Sequence, residues 1–320
     1  MKIVFFGSSG YSIEVLKELR FLEYKSLHVV TRSDKPKGRG MKTTPTGVKV
    51  FAQRYGIPVY TPHDLRSSEF LDEMRAINPD LFLIASYGRI LPQELLEIPR
   101  LPICLHPSLL PEYRGAAPVN WSLINGDEKT GVTLFKVVEK MDAGDILFQE
   151  EINIAPEDDS FRLFEKVYTT TKHILETALP LIKVGKLTYT SQDESRVTLA
   201  PKIEKDMARI DWSDPAQKIR NLTRGLSSHG CTWAMFRGKR VKFWKVDSAG
   251  LYCQRDSRCT LTDISKGVPG EIVYIDKHHL KISAGEEVFV PLVIQPEGKH
   301  KMDITDFISG FRPHEGEMFE

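Results

Sequence analysis

Cysteine is scarce: Cys104, Cys231, Cys253 and Cys259 are the four in 320 residues. Their separations of 127, 22 and 6 residues fit neither a CxxC pair nor a zinc-ligand pattern. This argues against a disulfide scaffold, favours a reducing compartment, and gives no reason to expect a metal. No apolar run approaches the ~20 residues that span a bilayer. The apolar start of MKIVFFGSSG is also too short for a secretory signal, so a cytoplasmic protein is expected. An excess of one charge is missing too, because 44 Lys and Arg against 43 Asp and Glu leave +1. An electrostatic partner must therefore be read from local patches. The full GxGxxG dinucleotide fingerprint is absent: the first apolar run ends in GSSGYS (Gly7–Ser12), which reads as a tight strand-to-helix turn.

The composition is that of a soluble globular chain, 41% hydrophobic and 27% charged, and its length suits two domains. In the first half, short apolar runs alternate with helical patterns. KIVFFG, LHVVT, LFLIASYG and PICLH read as buried strands. YSIEVLKELRFL, VKVFAQRYG, EFLDEMRAI, APVNWSLING and the long SFRLFEKVYTTTKHILETALPLI read as helices. That alternation predicts an α/β fold with an open parallel sheet and right-handed crossovers. GVTLFKVV and DILFQEEINI look extended. Beyond Leu187 the chain turns polar and weakly periodic. The expected division is an α/β domain over 1–189, a linker over 190–206 and a β-rich domain over 207–320. That last part opens on DPAQKIRNLTRGL, a helix with Asp214 as N-cap and Pro215 at its first position. Short runs between Gly, Pro and charged turns then suggest a small β-barrel.

Ligands of open parallel sheets bind at the carboxyl ends of the strands, where strand order reverses. Three segments end there: Gly7–Ser12, SYGRILP (Ser86–Pro92) and ICLHPSLLPEYRG (Ile103–Gly115). In the third, strand alternation puts Cys104 and His106 on one face, with His106 at the strand end facing the cleft. The turn in KMDAGDILFQ offers Asp142 and Asp145. Either carboxylate would favour a charged imidazole if it met His106, although Asp145 also reads simply as the opening of a strand.

The stretches CLHPSLLPEYRGAAPVNWSLINGDEKTGVT and MDAGDIL resemble the formyltransferase domain that uses 10-formyltetrahydrofolate. VVTRSDKPKGRGMKTTPTGVKVFAQRYGIPVYTP, NPDLFLIASYGRILP, ARIDWSDPAQKIRNLTRGL and IQPEGKHKMDITDFISG narrow the resemblance to the family that formylates methionyl-tRNA, nearly end to end. The resemblance implies a Rossmann-like folate-binding domain followed by an OB-like β-barrel. It implies formyl transfer from 10-formyltetrahydrofolate, as co-substrate, to the α-amino group of methionine on initiator Met-tRNA. The family's catalytic histidine and aspartate fall on His106 and Asp142. Its folate contacts fall on Ser108, Leu109, Leu110 and Pro111 and on Tyr87, Gly88, Ile90, Leu91 and Pro92. Its tRNA loop falls on Asp34–Thr44.

Three departures stand out. Cys104 occupies the place of the family's asparagine, whose amide is thought to bind the formyl oxygen. SSHGCT (Ser227–Thr232) and GSSGYS replace the family's usual NPWPGA and GTPxFA. Three readings of Cys104 are open: a weak donor in a slower enzyme, a small structural residue in a protein of changed or lost activity, or a thiol nucleophile paired with His106.

Two basic patches suggest nucleic-acid contacts. Arg32–Lys42 carries Arg32, Lys35, Lys37, Arg39 and Lys42 against Asp34 alone. Residues 217–246 carry eight positive and no negative side chains, including Arg237, Arg240 and Lys242. Alternation puts Arg240 and Lys242 on one strand face and Val241 and Phe243 on the other, with the interleaved aromatics expected in the core. A monomer is expected. Two rivals remain, a sugar-nucleotide N-formyltransferase and a tRNA- or folate-binding homologue without turnover. The basic loop and the QPEGKHKM block argue against the first.

Overall fold

The computed structural model describes residues 1–22, 24–37, 42–248 and 267–320, with the side chains of 35–37, 42 and 248 excepted. Cys253, Cys259 and Arg39 lie outside the described residues. Two compact units emerge: one comprises 1–118, 129–153 and 164–201, the other 119–128, 154–163 and 202–320. The division is less simple than a cut after residue 189, since two segments of the first half group with the second unit.

The first unit is built on β1 (Lys2–Gly7), α1 (Gly10–Leu19), β2 (Ser26–Val30), the β3–β4 hairpin (Lys35–Lys37, Lys42–Thr44), α2 (Gly47–Arg54), β5 (Val59–Tyr60), α3 (Ser68–Ile77), β6 (Leu81–Ala85), α4 (Gln93–Leu96), β7 (Leu101–His106) and β8 (Arg114–Gly115). After α5 (Pro118–Asn125) come β9 (Lys129–Lys136), β10 (Ile146–Asn153), α6 (Ser160–Lys183) and β11 (Leu199–Ala200). The seven-stranded sheet has the order β10-β9-β7-β6-β1-β2-β5. Five adjacent strands, β7-β6-β1-β2-β5, are parallel, as expected, but β9 pairs antiparallel with both β7 and β10 at the other edge. A short turn rather than a crossover helix joins β9 to β10, and such a turn can join only antiparallel neighbours.

The uninterrupted apolar runs follow from burial on both faces: Val4, Phe6, Phe82 and Ile84 pack against α3 through Phe70, Leu71 and Met74. Each such side chain contributes about 1.5–3 kcal/mol on burial. Helix starts are capped locally. Ser9 accepts from Ser12 N at α1, Thr46 from Lys49 N at α2, and Ser67 from Phe70 N at α3.

The expected linker is partly structure. Thr190 bridges to Ile146, and β11 pairs in parallel with β8 through Leu199↔Arg114 and Ala200↔Gly115. A two-residue strand leaves no periodicity to read.

The second unit carries α7 (Ala216–Gly225), β12 (Thr232–Phe236), β13 (Lys239–Ser248), β14 (Ile272–Ile275), β15 (Leu280–Ser283), β16 (Val288–Pro296), β17 (Met302–Asp303) and α8 (Ile304–Phe311). Its antiparallel sheet runs β12-β13-β16-β15-β14. The carboxyl-terminal residues join its two edges, with Phe319 bridged to Phe236 and Met318 to Glu271. Phe319 is 1% exposed and stacks on Phe236, ring centroids 4.6 Å apart. The start of α7 differs from expectation. Pro215 is the N-cap and makes no side-chain cap bond, while Asp214 pairs with Lys218 at 2.7 Å. Among the described residues no helix is long and apolar enough to cross a membrane.

Phe319→Ala should cost about 3–5 kcal/mol, as expected for emptying a buried aromatic site. The loss is read as a lower urea midpoint of the full chain.

Candidate functional site

From β1 the chain adds β2 and β5 on one side, then returns to place β6 and β7 on the other. The strand order therefore reverses between β1 and β6, where ligands of such sheets bind. Gly7 pairs with Ala85, so the Gly7 turn and the Ser86–Pro92 loop meet at this point. Ser12 locks them together: its hydroxyl donates to Ala85 O at 2.6 Å and accepts from Ser8 N and Ser9 N. The departure GSSGYS thus supplies a hydroxyl that ties two strand ends.

His106 ends β7. Its ring is only 5% exposed, more enclosed than a cleft-facing position would be. Nε2 lies 2.8 Å from Tyr113 O, and a carbonyl can only accept, so Nε2 carries the proton. Nδ1 faces Asp142 Oδ2 at 3.8 Å, an ion-pair distance but too long for a direct hydrogen bond. Phe135 stands edge-on to the ring at 6.5 Å.

Asp142 occupies the turn between β9 and β10, with φ +52, a conformation aspartate tolerates better than most residues. Its Oδ2 accepts from Gly115 N at 2.9 Å, and its backbone oxygen accepts from Gln192 Nε2 at 2.9 Å. Gly144 is required beside it, because a Cβ there would lie 1.7 Å from Lys136 O. Asp145 behaves as a strand-opening residue: its oxygens accept from Lys136 N and the Ser191 hydroxyl.

Cys104 is half-buried on β7. Burial, then the charge of Asp142, pushes its thiol well above the usual cysteine range. A raised thiol pKa favours the S–H form and so argues against the nucleophilic reading. The sulfur lies 3.7 Å from Leu105 O, a long contact, and the side chain packs against the core beside Phe82 and Ile84.

The segments expected to hold the donor are mostly rigid and inward. Ser108 donates to Glu112 O, and Thr133 Oγ1 donates to Ser108 O while accepting from Leu110 N. Leu110, Pro111, Leu91 and Pro92 are buried, and Leu109 is half-buried. Tyr87 is a core residue, 1% exposed with its ring edge-on to Phe6, so its ring is not offered to a ligand. Ile90 is 76% exposed beside the exposed Gly88. Arg89 anchors this loop by donating to Pro62 O and His63 O.

The basic candidates separate. Arg32 lies against Gly88, and its backbone N–H donates to Ser8 Oγ, so it belongs to the switch point. Lys35, Lys37 and Lys42 fall on the β3–β4 hairpin, and Asp34 is paired with Lys49 at 2.9 Å. Arg237 leaves the candidate phosphate-binding set: it makes two 2.7 Å bonds to Glu317 and donates to Phe311 O, tying down the carboxyl-terminal tail. Arg240 and Lys242 face outward beside two half-buried tryptophans that sequence reasoning put in the core. Arg240 lies 4.2 Å from the Trp233 ring centroid and Lys301 lies 3.1 Å from that of Trp244. Phe243 alone of the three is core. The SSHGCT departure is scaffold, with Ser227 Oγ 2.7 Å from Ser160 Oγ.

Sequence reasoning missed Tyr113, Arg114 and Gly115 as holders of the site, and missed Gln192 altogether. Only the glycine left a signal, since a Cβ there would lie 2.6 Å from Ala200 O.

Comparison with known proteins agrees along the chain. The formyl transferase family matches residues 1–179, and the formyl transferase C-terminal domain matches 202–312. A methionyl-tRNA formyltransferase of Listeria innocua is 41% identical over 312 residues, covering 97% of this chain and 95% of its own. That of Caldanaerobacter subterraneus subsp. tengcongensis is 37% identical over 322 residues, covering 100% of both chains. A sugar 3N-formyl transferase solved with dTDP and 5-N-formyl-THF shares the fold, with a TM-score of 0.67 at 18% identity over 94% of this chain and 99% of its own. With its strand-end histidine, nearby carboxylate and full-length likeness, the chain belongs to the formyl transferase family, among the methionyl-tRNA formyltransferases.

Proposed function

We propose that this enzyme transfers a formyl group from 10-formyltetrahydrofolate to the α-amino group of methionine on initiator tRNA. It would act as a cytoplasmic monomer. The observation that carries the site reading is the His106–Asp142 pair at the strand ends, 3.8 Å apart.

The chemistry is acyl transfer. The amine nitrogen attacks the formyl carbon, and the carbonyl electron pair moves onto oxygen. With Nε2 committed to Tyr113 O, Nδ1 is the edge of His106 left to meet that oxygen. A protonated Nδ1 stabilises the oxyanion in a site largely closed to water. Asp142 accepts the proton lost by the attacking nitrogen, through water where needed, and returns it to the departing folate nitrogen as the old C–N bond breaks. The exposed apolar Ile90 and the adjoining Gly88 backbone suit a flat ring that needs cover on one face and main-chain contacts at its edge. Tyr87 and Leu91 are packed in the core behind this loop, with Pro92 buried beside them, while Leu110 and Pro111 belong to the turn after His106. Ser108 and Leu109 shape the neighbouring turn. The β3–β4 hairpin with Arg39, together with Arg240 and Lys242, supplies phosphate contacts for tRNA.

Single-turnover reaction with 10-formyltetrahydrofolate tests the reading: formylated Met-tRNA is expected, and transfer only to an amino-sugar nucleotide overturns it. His106→Ala should lower the rate by roughly 10²–10³, the scale of one lost oxyanion donor, with tRNA binding unchanged by filter assay. Cys104→Asn restores an N–H donor and should raise kcat; a slower variant would show a site adapted to the thiol. Neutralising Arg39 or Arg240 should reduce the salt dependence of tRNA binding by about one unit of slope. Arg237→Ala should instead lower the melting temperature and leave that slope unchanged.

A further inference from the structure

The segment 180–201 falls between the two family matches, yet it reaches the centre of the site. Gln192 uses both ends of its amide there. Nε2 donates to the backbone oxygens of Asp142 at 2.9 Å and Gly144 at 2.7 Å. Oε1 accepts from Arg114 Nε at 3.2 Å and Nη2 at 2.7 Å. A guanidinium only donates and a carbonyl only accepts, so one orientation of the amide satisfies all four contacts.

Arg114 is 3% exposed, and Glu194 balances its charge at 2.8 Å. Glu194 also holds Lys140, on the near side of the Asp142 turn, at 2.6 Å. Arg114 and Lys140 together hold the Glu194 carboxyl down at about 2, so it is ionised throughout the physiological range. The residues flanking Arg114 grip the reacting groups themselves: Tyr113 O holds His106 Nε2, and Gly115 N holds Asp142 Oδ2.

We infer that Gln192, clamped by Arg114, is a positioning residue that sets where Asp142 stands relative to His106. The inference rests on the assignment of Asp142 to proton transfer. It extends that assignment to a residue outside both family matches. Because the amide grips the turn backbone, losing it leaves the carboxylate in place chemically but lets the turn drift, which misaligns the proton path more than it weakens substrate binding.

Gln192→Glu is the diagnostic variant. It keeps the volume and the Arg114 contact but sets a carboxylate oxygen against two carbonyls. We expect kcat to fall about 10–100-fold, the scale of an ångström-sized misplacement, with KM for donor and Met-tRNA within about threefold of the parent. Gln192→Ala should show a similar loss. In an Asp142→Asn background, Gln192→Ala should add little further loss, since both act on the same group. Unchanged kcat in both variants, a loss confined to KM, or a full multiplicative loss on top of Asp142→Asn would overturn the inference. If Asp142→Asn itself runs at the parent rate, the assignment of Asp142 fails instead. The melting temperature of the isosteric Glu variant separates misplacement from unfolding.

Discussion

The site depends on three consecutive residues, Tyr113, Arg114 and Gly115, which hold a histidine from one strand and an aspartate from a distant turn. The Tyr113 carbonyl takes the imidazole Nε2–H, and the Gly115 N–H takes the carboxylate. A buried polar group left without a partner costs about 1–3 kcal/mol. Folding therefore demands the same bonds that the proposed catalysis would use. β8 is only two residues long and would not persist unaided, and pairing with β11 fixes it. The segment after α6 is thus a working part of the first unit.

The rest of the sheet brings this arrangement to where a substrate can reach it. Parallel strands point their carboxyl ends one way, and the reversal between β1 and β6 parts the flanking loops. Ser12 closes the base of the opening by binding Ala85 O. Thr133 fixes the turn after His106 through Ser108 and Leu110. The walls are short turns pinned by side-chain bonds to backbone, and Ile90 stands out from them as exposed apolar surface.

Much of this was legible in the sequence, for identifiable reasons. Strands buried on both faces read as unbroken apolar runs, so β1, β6 and β7 could be found, and with them the edge that carries His106. The turn at Asp142 was visible because Gly144 admits no side chain. What escaped detection was contact over long range between polar residues. Gln192 lies in a polar stretch with no periodicity, and nothing local distinguishes it from linker. Arg237 looked like a phosphate ligand because charge is visible in sequence while its partner, Glu317, is 80 residues away. Trp233 and Trp244 were expected inside on hydrophobicity, yet strand alternation faces them outward, where cations cover their rings. The antiparallel β9–β10 edge was also missed, since apolar content alone does not reveal strand direction.

Cys104 gains meaning from the same geometry. A thiolate at this position would be a second negative charge near Asp142 in a half-buried place. Burial and that carboxylate both keep the proton on sulfur. The same Asp142 charge that the proposed reaction uses therefore also disfavours a thiolate at Cys104. An S–H is a weak donor, and its contact with Leu105 O is long. In the proposed reaction, a strong donor missing from the strand would put stabilisation of the oxyanion more heavily on the remaining edge of His106. An electrostatic interaction of that kind weakens with every displacement of its partners. A site with one fewer donor tolerates less play between His106 and Asp142 than a site with an amide in place. The bonds from Tyr113, Gly115 and Gln192 matter more in this chain for that reason.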